Sequence, residues 1–171
     1  MKIQDDSSHS VRLKVTDKMR ACATNQMYPD ADAALMASVT ESSEQNYRQA
    51  LIYTHQGVKA GNDTSAHIAG KVFYSKNPDS RHKKWGIPED KERSRRYEII
   101  SDYLTRRAHL KPELNVHDLD EIVPLPPAKL PNWDGKIAIQ RFEEGPAPAK
   151  PSDELVRRLA QQAGLDPNTG L

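Results

Sequence analysis

Residues 88–111 read PEDKERSRRYEIISDYLTRRAHLK. Tyr97, Ile100, Tyr103, Leu104 and Ala108 recur at helical spacing, so they share one apolar stripe of an α-helix. Pro88 suits a first-turn position, where its missing N–H is no loss, and Glu89 and Asp90 sit at the positive end of the helix dipole. Arg106, Arg107, His109 and Lys111 lie at the other end, where cations are favoured. A helix this charged, with one apolar stripe, is stable only if neighbouring elements cover the stripe.

Upstream, the same period recurs. Thr16-Asp17 caps a run carrying Met19, Cys22, Ala23, Gln26 and Met27 up to Pro29. A second run from Asp30 to about Thr40 places Ala31, Ala34, Leu35 and Val39 on one stripe, and a third starts at Ser42 or Ser43 and carries Tyr47, Ala50, Leu51, Thr54 and Val58 before Gly61. Between residues 64 and 76, Asp63 or Thr64 caps a helix with Ile68, Ala69, Val72 and Phe73 inward, although Val72-Phe73-Tyr74 also suits a strand. Ahead of all these, Val11, Leu13 and Val15 alternate with Arg12 and Lys14, the pattern of a short strand with one wet face. A strand with Arg12 and Lys14 outward, running straight into a helix, is similar to the entry of a ribbon-helix-helix DNA-binding arm. The resemblance spans about fifty residues and implies paired ribbons of a dimer in the major groove.

Downstream of the helix the texture changes. Pro124, Pro126, Pro127 and Pro131 exclude a helix between Ile122 and Pro131 and leave extended, polyproline-like chain. Lys136 to Phe142 alternates like a strand after the turn signal Asp134-Gly135. Gly145 to Pro151 is a semi-rigid spacer, and Ser152 caps a short helix in which Leu155, Leu159 and Ala163 share a face up to Gly164. No internal repeat stands out at a solenoid period. The expected fold is therefore α+β and mainly α: a core of about five helices, two short strands, and an extended proline-rich arm ending in a short helix. Four regions follow: a disordered or extended start at 1–10, a helical domain at 11–111, an arm at 112–151, and a terminal helix and tail at 152–171.

The chain has 171 residues, 36% hydrophobic and 29% charged, with a mean hydropathy of −0.80. That is one domain's worth of length. No run approaches the ~18 consecutive apolar residues of a membrane span, and the start lacks the apolar core of a secretory signal. A soluble, intracellular protein in the reducing cytoplasm is expected, with no membrane partner. Cys22, the only cysteine, excludes an internal disulfide and a multi-cysteine zinc site.

A formal charge of +1 hides an uneven distribution. Residues 71–111 carry 12 basic and 6 acidic side chains, net +6, between flanks of −1 and −4. Arg81, Lys83, Lys84 and Trp85 in the preceding loop, with Arg93, Arg95 and Arg96 on the helix, offer guanidinium forks for phosphate and an indole on which a base can stack. The competing explanation is a solvated helix laced with local pairs, Glu89 to Arg93 and Glu92 to Arg96. Those pairs do not involve Arg81, Lys83 or Lys84, so the leading expectation is a non-catalytic protein that contacts nucleic acid, or an acidic protein surface, through this segment.

Two other classes remain open. A structural or adaptor subunit would dock on another chain through the 112–171 arm, using Ile122, Val123, Leu125, Leu130, Leu155 and Leu159. A small nuclease or toxin-like enzyme would need His67 and His82, with Lys71, Lys84 and Glu98, to converge on a phosphodiester. The cluster His117, Asp118 and Asp120 reads as a solvated turn whose carboxylates cap backbone amides. No metal and no cofactor is expected.

Overall fold

The computed structural model describes residues 5–25, 29–74, 82–110, 115–147, 149–166 and 169, giving only the backbone course for 5–13, 83 and 110. Among them are eight α-helices, α1 (Asp5–Ala23), α2 (Ala31–Ser43), α3 (Tyr47–Lys59), α4 (Asp63–Phe73), α5 (Lys91–Arg106), α6 (Leu119–Ile122), α7 (Ala138–Glu144) and α8 (Asp153–Ala163). Lys83–Trp85 and Ala108–Leu110 form short 3-10 turns. None of these helices is long and apolar enough to cross a membrane. The chain divides into two compact units, Met1–Arg141 and Phe142–Leu171.

No strand occurs among the described residues, so the expected α+β class is corrected to all-α. Val11 to Val15 lies inside α1, which also removes the ribbon on which the ribbon-helix-helix resemblance rested. An alternating triplet places its first and third members four residues apart, which is also one face of a helix. A strand needs a partner to satisfy its backbone, whereas a helix satisfies it within the segment. The second expected strand, Lys136 to Phe142, is a turn followed by α7. Asp134 Oδ1 accepts from Lys136 N at 3.0 Å, and Asp118 Oδ2 accepts from Ala138 N at 2.9 Å and so acts as a helix cap from a distance.

Side chains set the boundaries. Asp30 accepts from Ala33 N at 2.6 Å to start α2, Asn62 from Ser65 N at 2.7 Å to start α4, and Asp90 from Arg93 N at 3.0 Å to start α5. Pro88 therefore precedes α5 instead of opening it. α2 continues through Ser42 and Ser43, and Tyr47 opens α3 after a turn in which Gln45 adopts a φ of 64°.

In Met1–Arg141, consecutive helices pack on one another: α1 on α2, α2 on α3, α3 on α4 and α4 on α5. This nearest-neighbour order is how stacks of helical hairpins are built. A small alanine-rich cluster, Ala23, Ala34, Ala37 and Tyr53, joins α1, α2 and α3. Arg20 fastens the same corner through the buried Glu41, at 2.7 Å. Gly57 lets α3 approach α4, because a Cβ there would stand 2.3 Å from Ser65 Oγ.

The main core lies between α3, α4, α5 and the arm. Phe73 and Tyr97 stack with centroids 5.9 Å apart, and Ile100 and Leu104 are fully buried. Val116, Leu119, Ile122, Val123 and Ile137 from the arm complete it, with Leu125 and Leu130 packed against its edge. In Phe142–Leu171 no described residue is buried.

Candidate functional sites

The basic segment does not present its arginines as one face. Arg93 and Arg96 are 7% and 5% exposed. Arg93 donates through Nε to the Pro124 carbonyl at 3.1 Å, through Nη2 to that of Ala128, and pairs with Asp90. Arg96 donates to the carbonyls of Ile122 and, at 2.8 Å, Pro131, while its Nε meets Glu92 at 2.9 Å. The two guanidinium groups also lie over the rings of Phe73 and Trp133, at 5.9 and 5.6 Å. They are internal struts holding the arm.

Trp85 is buried and stacked on Tyr47 at 6.1 Å, so its faces are not open to a base. Arg95 is exposed but bound through two nitrogens to Glu92, both at 2.8 Å, and this contact, with the weaker one from Arg96, holds the Glu92 carboxyl down to about 2. Lys84 is exposed. Arg81 and the side chain of Lys83 lie outside the described residues. Ile122 and Val123, expected to wait for a partner, are buried in the chain's own core.

The histidine candidates divide. His67 and His82 line one cavity of about 420 Å3, together with Ser38, Val39, Ser42, Thr64, Ile68 and Trp85. Lys71 and Glu98 pair with each other at 3.9 Å and do not line it, nor does Lys84. Among the described residues, no three of His, Cys, Asp and Glu are grouped to hold a metal ion.

A further polar constellation joins residues that local patterning does not connect. His55 on α3 is 3% exposed; its Nδ1 meets the Tyr97 hydroxyl at 2.8 Å and its Nε2 meets Asp120 Oδ1 at 2.7 Å. Lys59 donates to the other oxygen of Asp120, and the Lys59 carbonyl accepts from Val116 N at 2.8 Å. The order of burial runs opposite to that of a nucleophilic triad: the Tyr97 hydroxyl is sealed inside and the carboxylate faces outward. Burial pushes the Tyr97 phenol far above its usual range, so it stays a neutral hydroxyl. The arrangement is a latch of α6 onto α3.

Its pH signature follows from Asp120. The hydrogen bond from His55, and then that from Lys59, holds this carboxyl well below the usual carboxylate range. Below about pH 4 the unfolded chain takes up a proton that the folded chain refuses, so the latch's contribution is full above that pH and declines as pH falls toward the folded value. Because the carboxylate is half open to water, Asp120→Asn is expected to cost only about 1 kcal/mol at pH 7. Urea unfolding should show the gap between the two proteins narrowing at pH 3; a constant gap would mean the carboxylate is not the latch.

In Phe142–Leu171, α8 is capped at both ends. Ser152 Oγ accepts from Leu155 N at 3.2 Å, Gly164 stands at φ 71°, and the N–H groups of Gly164 and Leu165 return to the carbonyls of Gln161 and Ala160. Leu159 is nonetheless 52% exposed, and Val156, Leu165 and Phe142 are exposed as well, while Leu155 is half-buried. This apolar stripe was legible from Leu155, Leu159 and Ala163. The His55 latch was not, because its members lie 42 and 65 residues apart.

Residues 65–171, from α4 through α8, match a family model described as a domain of unknown function (DUF6396). No curated protein matches the chain, and no solved structure does.

Proposed function

The chain belongs to the DUF6396 family, and from its own residues we propose that it is an interaction adaptor: a helical stack that presents α8, on a proline-rich spacer, to an apolar groove of another protein. One observation carries this reading. A helix with both ends capped and one apolar stripe keeps no residue buried. Eleven residues are marginal as an isolated helix, and α8 therefore gains most from a surface that covers Leu155, Val156 and Leu159. Self-pairing of two such helices, each ~16 Å long, would bury far less than the ~1,200 Å2 of a stable interface, so a groove on a larger protein is the better fit. Arg158 borders the stripe by helical geometry, which suits a groove with an acidic rim. The arginines that argued for nucleic acid are largely occupied by the arm and by Glu92.

Deleting residues 146–171 is expected to move the unfolding midpoint by no more than about 2 °C, since none of the described residues it removes is buried. The assembly formed by the untagged protein in its own cell, sized by gel filtration, should fall to monomer mass when Leu155 and Leu159 are both changed to Asp. A wild-type chain that is already monomeric there, or an assembly that survives the double change, ends the adaptor reading. Binding of mixed-sequence DNA or RNA that survives the deletion, weakens steeply with salt and is lost in Lys84→Glu would replace it with phosphate contact.

A further inference from the structure

The C-terminal end of α8 carries a further inference, which rests on the adaptor reading above. Gly164 stands in the left-handed region at φ 71°, and a Cβ there would meet nothing within 4 Å, so the backbone conformation alone calls for glycine. The N–H of Gly164 returns to the Gln161 carbonyl at 3.2 Å, and that of Leu165 to the Ala160 carbonyl at 2.8 Å. This double return reverses the chain and sets the residue after the glycine beside the last turn of the helix.

The reversal decides which face Leu165 joins. Had the helix run on, Leu165 would fall seven residues after Arg158 and eleven after Glu154, in the charged row of the helix. Turned back at Gly164, it takes the position that pairs with Ala160 and Leu159 in caps of this kind. Leu165 is 44% exposed and Leu159 52%, so both keep surface that a partner can cover. The charge at this end is one-sided. The last turn holds no basic side chain, the sequence has no Lys, Arg or His after Arg158, and Asp166 follows Leu165. The negative pole of the helix is therefore answered by no cation from its own segment.

We infer that Leu165, placed by Gly164, is the terminal anchor of α8, and that the partner's groove is closed at this end by a pocket that takes Leu159 and Leu165 together beside a basic side chain of the partner. Gly164 is a positioning residue, acting through Leu165. A groove open at both ends would accept a straight helix and gain nothing from the reversal. A cation against the C-terminal pole and an acid against Arg158 fix the direction in which α8 enters.

The test uses the full untagged chain in its own cell, with the assembled fraction read by gel filtration and the helix content of the purified variants read by far-ultraviolet circular dichroism. Leu165→Ser leaves the cap intact, so helix content should hold while assembly weakens at least about tenfold. Gly164→Asn, which tolerates the left-handed turn, should assemble like the wild type, and Gly164→Val, which strains it, should assemble as poorly as Leu165→Ser. Gln162→Lys adds a cation to the last turn, so it should raise helix content yet weaken assembly, because it meets the partner's own cation. Leu165→Ser or Gly164→Val assembling like the wild type would overturn the terminal anchor, while loss of assembly in the Leu155 and Leu159 double change would leave the adaptor reading standing. Gln162→Lys assembling as well as the wild type would overturn the basic pocket. A wild-type chain that is already monomeric in its cell ends both readings.

Discussion

Arg96→Ala is expected to destabilise the protein by about 3–5 kcal/mol, with no phosphate ligand present. The stretch Ile122 to Pro131 contains four prolines, which offer carbonyl acceptors but no N–H, so it cannot satisfy itself by pairing. Arg96 supplies donors to Ile122 and Pro131 from one planar fork, while Arg93 serves Pro124 and Ala128 from the next turn. Truncating Arg96 leaves the buried Ile122 carbonyl and the part-buried Pro131 carbonyl without that donor, strips Glu92 of one partner, and removes the cation over Trp133. The unsatisfied buried acceptor costs about 1–3 kcal/mol, and the broken pair with Glu92 and the lost packing over Trp133 supply the rest. Lysine should not rescue it, because one ammonium cannot reproduce a fork that reaches two carbonyls at once. By thermal unfolding the loss corresponds to a midpoint roughly 10 °C lower. A loss under ~1 kcal/mol would mean that the guanidinium faces water, and the basic segment would again be a candidate surface for phosphate.

The same arginine shows why part of the molecule was legible and part was not. Helices α2 to α5 could be seen because their apolar positions repeat within a few residues, and three of them start at a capping side chain, Asp30, Asn62 or Asp90. Arg93 and Arg96 look locally like any cations on a charged helix. What buries them is a segment 26 to 35 residues further on, and nothing in a local window reveals that contact. His55 is another case, since its partners come from α5 and α6. Short alternations misled in the opposite direction: Val11 to Val15 and Lys136 to Phe142 suit a strand only where another strand exists to receive their hydrogen bonds, and in the described chain none does. The stripe on α8 was readable because a helix face depends on neighbours in sequence alone.

Leu104→Ala is expected to cost ~2–5 kcal/mol, for a reason that ties the core to the arm. Leu104 has no exposed surface and lies in the last full turns of α5, in one cluster with Ile100 from its own helix, Phe73 from α4, and Val116 and Leu119 from the arm. The cost of a truncated leucine depends on how far its surroundings relax into the space it leaves. Here they are held on several sides: Ser94 Oγ bonds the Gly70 carbonyl at 2.9 Å and binds α5 to α4, Val116 N is fixed to α3, and the arm is strapped by Arg93 and Arg96. The loss should therefore fall toward the upper part of that range. The straps also make a sharper comparison available. In an Arg96→Ala background the arm is free to settle into the space, so Leu104→Ala should cost less there than in the wild type, by more than the ~0.5 kcal/mol within which independent sites add. Chemical denaturation of the four proteins of this cycle measures the difference. Strict additivity would mean that the strap and the α5 stripe stabilise separate regions, and a loss well under ~1 kcal/mol from Leu104→Ala alone would mean that the stripe is not packed as described.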